Sequence, residues 1–188
     1  MVSGNVPQGA GLSSSASFEL ALGFLLSRVA GLSLDARELA LVGQEAEHQF
    51  AGCACGIMDQ WVSAAGVEGH ALLINCSTDV AEAIPFPQDL SVLVVNSAVQ
   101  RELASSEYNS RRASCERAAT LCGVSNLSEL TRETLDEKRT ILSDVEYRRA
   151  RHVVTENERT HRASEALKSG ELKDFFAAMR ESHTSLRE

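Results

Sequence analysis

A surplus of basic residues is the first thing this sequence lacks: 18 Lys and Arg stand against 26 Asp and Glu, a net charge of −8. Nothing is left over to neutralise phosphates along a strand, which excludes a nucleic-acid partner. The Arg-rich stretch EYRRARHVV is no exception, because it carries Glu146 and is followed by Glu156 and Glu158. It reads as a solvated helix face. No apolar run approaches the ~18 residues of a membrane span, and no signal peptide opens the chain, so neither a membrane partner nor export is expected. The five cysteines are odd in number and lack framework spacing, which places the chain in a reducing, cytoplasmic compartment. Cys53 and Cys55 form a C-x-C, but no second pair or histidine cluster completes a zinc site, so these thiols are read as structural. Repeats and low-complexity tracts are missing too.

What is present is an ordinary globular composition, 44% apolar and 23% charged, in a chain of 188 residues. That length buries one core or two small ones. Helical spacing of Phe18, Leu22, Leu25 and Val29 predicts a helix over Ser15–Ala30 with that stripe inward and Gly31 as its stop. A second helix is predicted from Asp35, with Glu38 in capping-box position, towards Phe50; its inner stripe would be Leu39, Val42, Ala46 and Phe50. GIMDQWVSAAG predicts a short third helix, with Trp61 as its core anchor. The pattern then changes. His70–Cys76 and Leu90–Ser97 are Val/Ile/Leu-rich runs bounded by turn residues and read as strands, with IPFPQD a loop between them. Helices are predicted over about Ser106–Cys122, about Val145–Lys168, and from Glu171 onward, the first two stopped by Gly123 and Gly170. Helices, two strands, then helices give an α+β fold, holding the end of one domain and the start of another. With few residues before the first glycine loop and a helical pattern running to the last residue, a piece of a longer protein is expected.

The stretch NVPQGAGLSSSAS, Asn5–Ser17, carries the first chemical signal. A helix start presents unpaired N–H groups and the positive end of the macrodipole. Glycines ahead of it let backbone approach an anion, and serine hydroxyls add donors. The physical reading is a phosphate cradle, although serine also caps helices for structural reasons alone. It is not a Walker A loop, which requires a lysine, nor a dinucleotide fingerprint, since Ser14 stands where the third glycine belongs.

VPQGAGLSSSAS resembles the GHMP small-molecule kinase signature P-x-G-x-G-L-S-S-S-A, and QEAEHQFAGCACGIMDQ (Gln44–Gln60) resembles the next block of galactokinases. LASSEYNSRR (Leu103–Arg112), RARHVVTEN (Arg149–Asn157) and ESHTSLR (Glu181–Arg187) are similar to further galactokinase segments, in the same order. The resemblance covers essentially the whole chain. It implies the two-domain GHMP kinase fold, present in part, with residues 1–66 belonging to the N-terminal, nucleotide-binding domain and 67–188 to the C-terminal domain.

The resemblance also implies roles. Gly9, Ala10, Gly11, Leu12, Ser13, Ser14 and Ser15 would wrap the phosphates of ATP, with Ser15 and Glu47 as the protein ligands of Mg²⁺, a hard cation that keeps most of its waters. Asp59 would be the catalytic carboxylate, taking the proton of the sugar's anomeric hydroxyl or orienting that hydroxyl. Gly56 and Tyr108, with Asp59, match positions that contact galactose. Read without the resemblance, Glu47 is a helix-surface glutamate, Asp59 a helix-start acid and Tyr108 a packing residue. His48 receives no metal role, and His152 and His183 are read as packed or surface side chains.

The implied activity is transfer of the ATP γ-phosphate to the C1 hydroxyl of galactose, by a protein that is monomeric at full length. The family's upstream G-E-H-x-D-Y-like block, with an arginine that assists the catalytic aspartate, and its downstream glycine-rich block are absent from these residues, so the chain as given is expected to be an incomplete, inactive fragment. Two other readings stand beside this one: a GHMP kinase for another sugar such as N-acetylgalactosamine, and a non-catalytic sugar and ATP sensor. The intact triple serine, Glu47 and Asp59 favour an enzyme.

Overall fold

The computed structural model describes residues 3–96 and 104–187, with side chains left undescribed over 104–107. Its backbone forms two compact units, Met1–Ser106 and Glu107–Glu188. Among the described residues no helix is long and apolar enough to cross a membrane.

The first unit begins with helices α1 (Ser14–Val29), α2 (Ala36–Ala46) and α3 (Met58–Ala65). Asp35 starts α2 as the sequence predicts: its carboxylate accepts the Glu38 N–H at 2.8 Å, and the Glu38 carboxylate accepts the Asp35 N–H at 2.9 Å. The α-helix stops at Ala46 and continues as a π turn over Glu47–Ala51, ended by Gly52 with φ 66°. A π turn inserts an extra residue and rotates its side chains about the helix axis, a feature frequent at functional sites. Here it carries Phe50 outward, 87% exposed, so Phe50 does not belong to the inner stripe.

The stripe predicted for α1 is also corrected. Phe18, Leu22, Leu25 and Val29 are exposed, while Ala16, Leu20 and Ser27 are buried. Helix α1 is apolar almost all round, and its small side faces inward: Gly23 lies where a Cβ would be 3.7 Å from Leu39 Cδ2. Small residues let two helices approach closely, and the bulkier face is left outside. On α2 the inward residues are Leu39, Ala40 and Gly43, with Val42 exposed. Trp61 of α3 is 7% exposed and forms the core with Ala40 and Ile57, as its size predicts.

Strand β1 (His70–Asn75) pairs antiparallel with β2 (Val80–Pro85), from His70 opposite Pro85 to Asn75 opposite Val80. Asn75 shapes the turn by accepting the N–H groups of Ser77 and Thr78 on Oδ1 at 3.0 and 3.2 Å. Ile74 and Ala81 rest against the Trp61 cluster, and Arg37 of α2 pairs with Asp79 at 3.1 Å. The predicted strand at Leu90–Ser97 is not formed over 91–96, and Ser97 lies outside the described residues. Its hydropathy suits a buried strand, but among the described residues the sheet consists of β1 and β2 alone, and Val92 to Val95 are exposed. The true partner of β1 runs through Ile84 and Pro85, inside the stretch read as loop.

The second unit is helical. Helices α4 (Ala104–Cys122), α6 (Asp144–Ser169) and α7 (Leu172–Arg187) match the predicted pattern, although Leu103 of the LASSEYNSRR motif lies outside the described residues. Helix α5 (Arg132–Glu137) and two 3₁₀ turns, Leu127–Glu129 and Arg139–Ile141, join α4 to α6. They carry Leu127, Leu130, Leu135 and Leu142 into a core with Ala118, Ala119, Cys122, Ala150 and Val154. Ser143 and Glu146 form a capping box at the start of α6. Arg149 ties α6 to α4 through Ser110 O at 2.9 Å and Ser114 Oγ at 2.7 Å.

Candidate active site

The loop before α1 is shaped by three residues in left-handed backbone: Gly9 (φ 69°), Gly11 (φ 72°) and Ser13 (φ 56°). At Gly9 no atom stands within 4 Å of where a Cβ would lie, so glycine serves the backbone angle there and not a crowded neighbour. Ser13 is one of two non-glycine residues with positive φ among the described residues. Such a conformation costs on the order of 1–3 kcal/mol and gathers at functional sites. Ser13 occupies the position that caps α1, yet its side chain makes no capping bond. The first intrahelical bond is donated by Ser17 N–H to Ser13 O at 3.0 Å. The N–H groups of Ser14, Ser15 and Ala16 therefore face outward from the helix start, where the backbone dipole favours an anion. This arrangement fits a phosphate.

Glu47 begins the π turn, and its Oε2 is buried with no hydrogen-bond partner. An orphaned acceptor of that kind costs free energy unless something positive meets it, which fits a cation ligand. The turn is tied to the strap leading into α3: Cys53 N–H donates to Glu47 O at 3.4 Å, and Cys55 O accepts from Gln44 Nε2 at 3.3 Å and His48 Nε2 at 2.9 Å. His48 thus braces the strap. Gly56 lies further along that strap, exposed, and Asp59 stands half-buried in the first turn of α3. The phosphate loop, Glu47, Gly56 and Asp59 all lie in the first unit, whereas Tyr108 stands on α4 in the second, 44% exposed.

One acid here carries no signal in sequence. Glu19, one turn after Ser15 on α1, is pushed up to about 7 by burial and then by the Glu47 carboxyl beside it, with the Gln60 amide pulling the other way. Glu19 Oε2 and Gln60 Oε1 are also buried without hydrogen-bond partners. Sequence spacing could place Glu19 on the Ser15 face of α1, but could not reveal that α1 sets it against Glu47.

All five cysteines are free thiols. Burial pushes Cys55 up, with Cys53 and Glu47 adding to the effect, so its thiol stays protonated at neutral pH. Among the described residues no group of three or more His, Cys, Asp and Glu side chains could hold a metal ion. A cation held here would keep most of its waters and take few protein oxygens, as Mg²⁺ does. In the second unit, His152 Nδ1 meets Ser185 Oγ at 3.0 Å and His183 is exposed, matching their reading as packed and surface residues.

Residues 1–67 match the GHMP kinases N terminal domain. The chain is similar to the galactokinase of Lactococcus lactis, solved in complex with galactose, with 32% identity and a TM-score of 0.88. The alignment covers 98% of this chain and 49% of that one, so the chain spans about half the length of that galactokinase. The fold is the α+β GHMP kinase fold, present in part.

Proposed function

Because residues 1–67 match the GHMP kinases N terminal domain and the fold is that of the GHMP kinases in part, we propose that the chain forms the central part of a galactokinase, which transfers the γ-phosphate of ATP to the anomeric hydroxyl of galactose and yields galactose 1-phosphate. The observation that carries this reading is the start of α1, whose N–H groups lie uncapped behind a loop of left-handed residues. Gly9 to Ser15 hold the phosphates with backbone donors. Ser15 and Glu47 hold Mg²⁺, which when bound neutralises charge developing on the transferring phosphate. Asp59, in the first turn of α3, accepts the proton of the C1 hydroxyl or orients it. Gly56 lets backbone approach the sugar, and by resemblance Tyr108 also contacts it. Residues 1–66 belong to the nucleotide-binding domain and 67–188 to the C-terminal domain of a cytoplasmic protein that is monomeric at full length.

The test is galactose-dependent ADP release with MgATP, by this chain and by the longest reading frame that contains it, each beside Asp59→Asn. Activity in the longer protein should fall by about 10²–10⁴-fold in the variant, while this chain alone stays silent. Activity with N-acetylgalactosamine but not galactose would reassign the substrate. Galactose binding without turnover in the longer protein would replace the enzyme with a sensor.

A further inference from the structure

Three polar side chains of the first unit close on one another where α1, the π turn and α3 meet. They are Glu19, Glu47 and Gln60, and each keeps one buried oxygen without a hydrogen-bond partner: Oε2, Oε2 and Oε1. The Glu47 carboxyl and the Gln60 amide are the side chains that act on the Glu19 carboxyl. Gln60 is only 2% exposed, and its Nε2 also reaches Cys55 Sγ at 3.9 Å. Gly43 makes the space, since a Cβ there would stand 3.2 Å from Gln60 Cγ and 3.7 Å from Glu19 Oε2.

Among the described residues no arginine, lysine or histidine forms an ion pair with Glu19 or Glu47. Two acceptor-only carboxylates side by side repel, and burial of their oxygens makes water a poor remedy. A hard divalent cation answers both problems, and Mg²⁺ is commonly bound through one or two carboxylates. Glu19 stands one helical turn from Ser15, on the same face of α1, so a cation beside Ser15 is a cation beside Glu19.

We propose that the cation site contains two carboxylates, Glu19 together with Glu47, with Gln60 fixing the pair from behind, in place of Glu47 alone. The proposal rests on the kinase reading above. The Gln60 amide, acting on Glu19 from behind, steadies that carboxylate, and the Gln60 carbonyl is left for a cation-bound water.

The test titrates Mn²⁺, followed by the electron paramagnetic resonance of the free ion, into the protein with ADP present. Glu19→Gln, Glu47→Gln and, as a control on the exposed side of α2, Glu45→Gln are compared with the parent. Circular dichroism confirms that each variant is folded, and Glu19→Asp keeps the charge while shortening the arm. Loss of affinity on the order of 10–100-fold in both Glu19→Gln and Glu47→Gln, with an intermediate loss in Glu19→Asp and none in Glu45→Gln, supports the proposal. A loss in Glu47→Gln alone overturns it and leaves the kinase reading intact. No Mn²⁺ binding by the parent, or equal binding by every variant, overturns the proposal, while galactose-dependent ADP release by the longer protein decides the kinase reading separately.

Discussion

At the scale of single residues, Glu19 gives the first unit a distinctive response to pH. Its folded value of about 7 lies above the ordinary 4.5, raised by burial first and then by Glu47. Between those two values the folded chain holds a proton that the unfolded chain has lost, so this group's contribution to stability is full below the ordinary value and is lost as pH rises through 7. Thermal midpoints should therefore fall between pH 5 and 7.5 in the metal-free parent, and Glu19→Gln should flatten that slope. An equal slope in the variant would assign the titration elsewhere. Glu156 responds in the opposite sense. Burial alone would raise it, but the hydroxyl of Ser182 and the guanidinium of Arg159 hold it below its usual range, so its contribution is lost on acidification. Glu47 and Asp59 were nominated from the sequence because each stands in a motif whose residues are neighbours along the chain. Glu19 was not, because its chemistry comes from α1 packing against α2 and α3, which brings it beside Glu47, a pairing that no local pattern encodes.

Elements were legible where their ends carry chemistry. Gly170 ends α6 in left-handed backbone at φ 76°, while Glu171 N–H returns to Ala166 O at 2.8 Å and Gly170 N–H to Leu167 O at 3.3 Å. Nothing lies within 4 Å of its missing Cβ, so Gly170→Ala meets only the backbone penalty. A loss of about 1–2 kcal/mol in denaturant unfolding is expected. Leu135→Ala should cost more, about 2–5 kcal/mol, because Leu135 is fully buried among Leu127, Leu130 and Leu142 and its removal leaves a cavity. Failure was concentrated where period alone had to choose a face. On α1 the apolar residues fall on every side, and close approach to α2 selected the small side, Ala16, Leu20 and Gly23. Strand β2 was missed because VAEAIP carries a glutamate and ends in proline, whereas residues 91–96 have strand composition and form no strand.

On the scale of the whole molecule, the same inversion leaves a broad apolar surface. Leu25 is 57% exposed, Val29 79%, Val92 76% and Leu93 85%, and Phe18, Phe24 and Leu26 add to it on α1. A helix apolar on all sides ordinarily lies inside a protein, and exposed apolar patches promote association. The Lactococcus lactis galactokinase, about twice the length of this chain, has further chain that could cover such faces. By itself this chain should self-associate as its concentration rises, and sedimentation velocity over a hundredfold dilution series would show it. Leu25→Lys and Val29→Lys should lower the association while leaving helicity and thermal midpoint nearly unchanged, because surface substitutions of exposed side chains cost within about 0.5 kcal/mol. If the double variant loses helicity instead, α1 uses its outer face to hold the unit together. If the parent stays monomeric throughout, the apolar face is stable in water, and association is not what limits this chain.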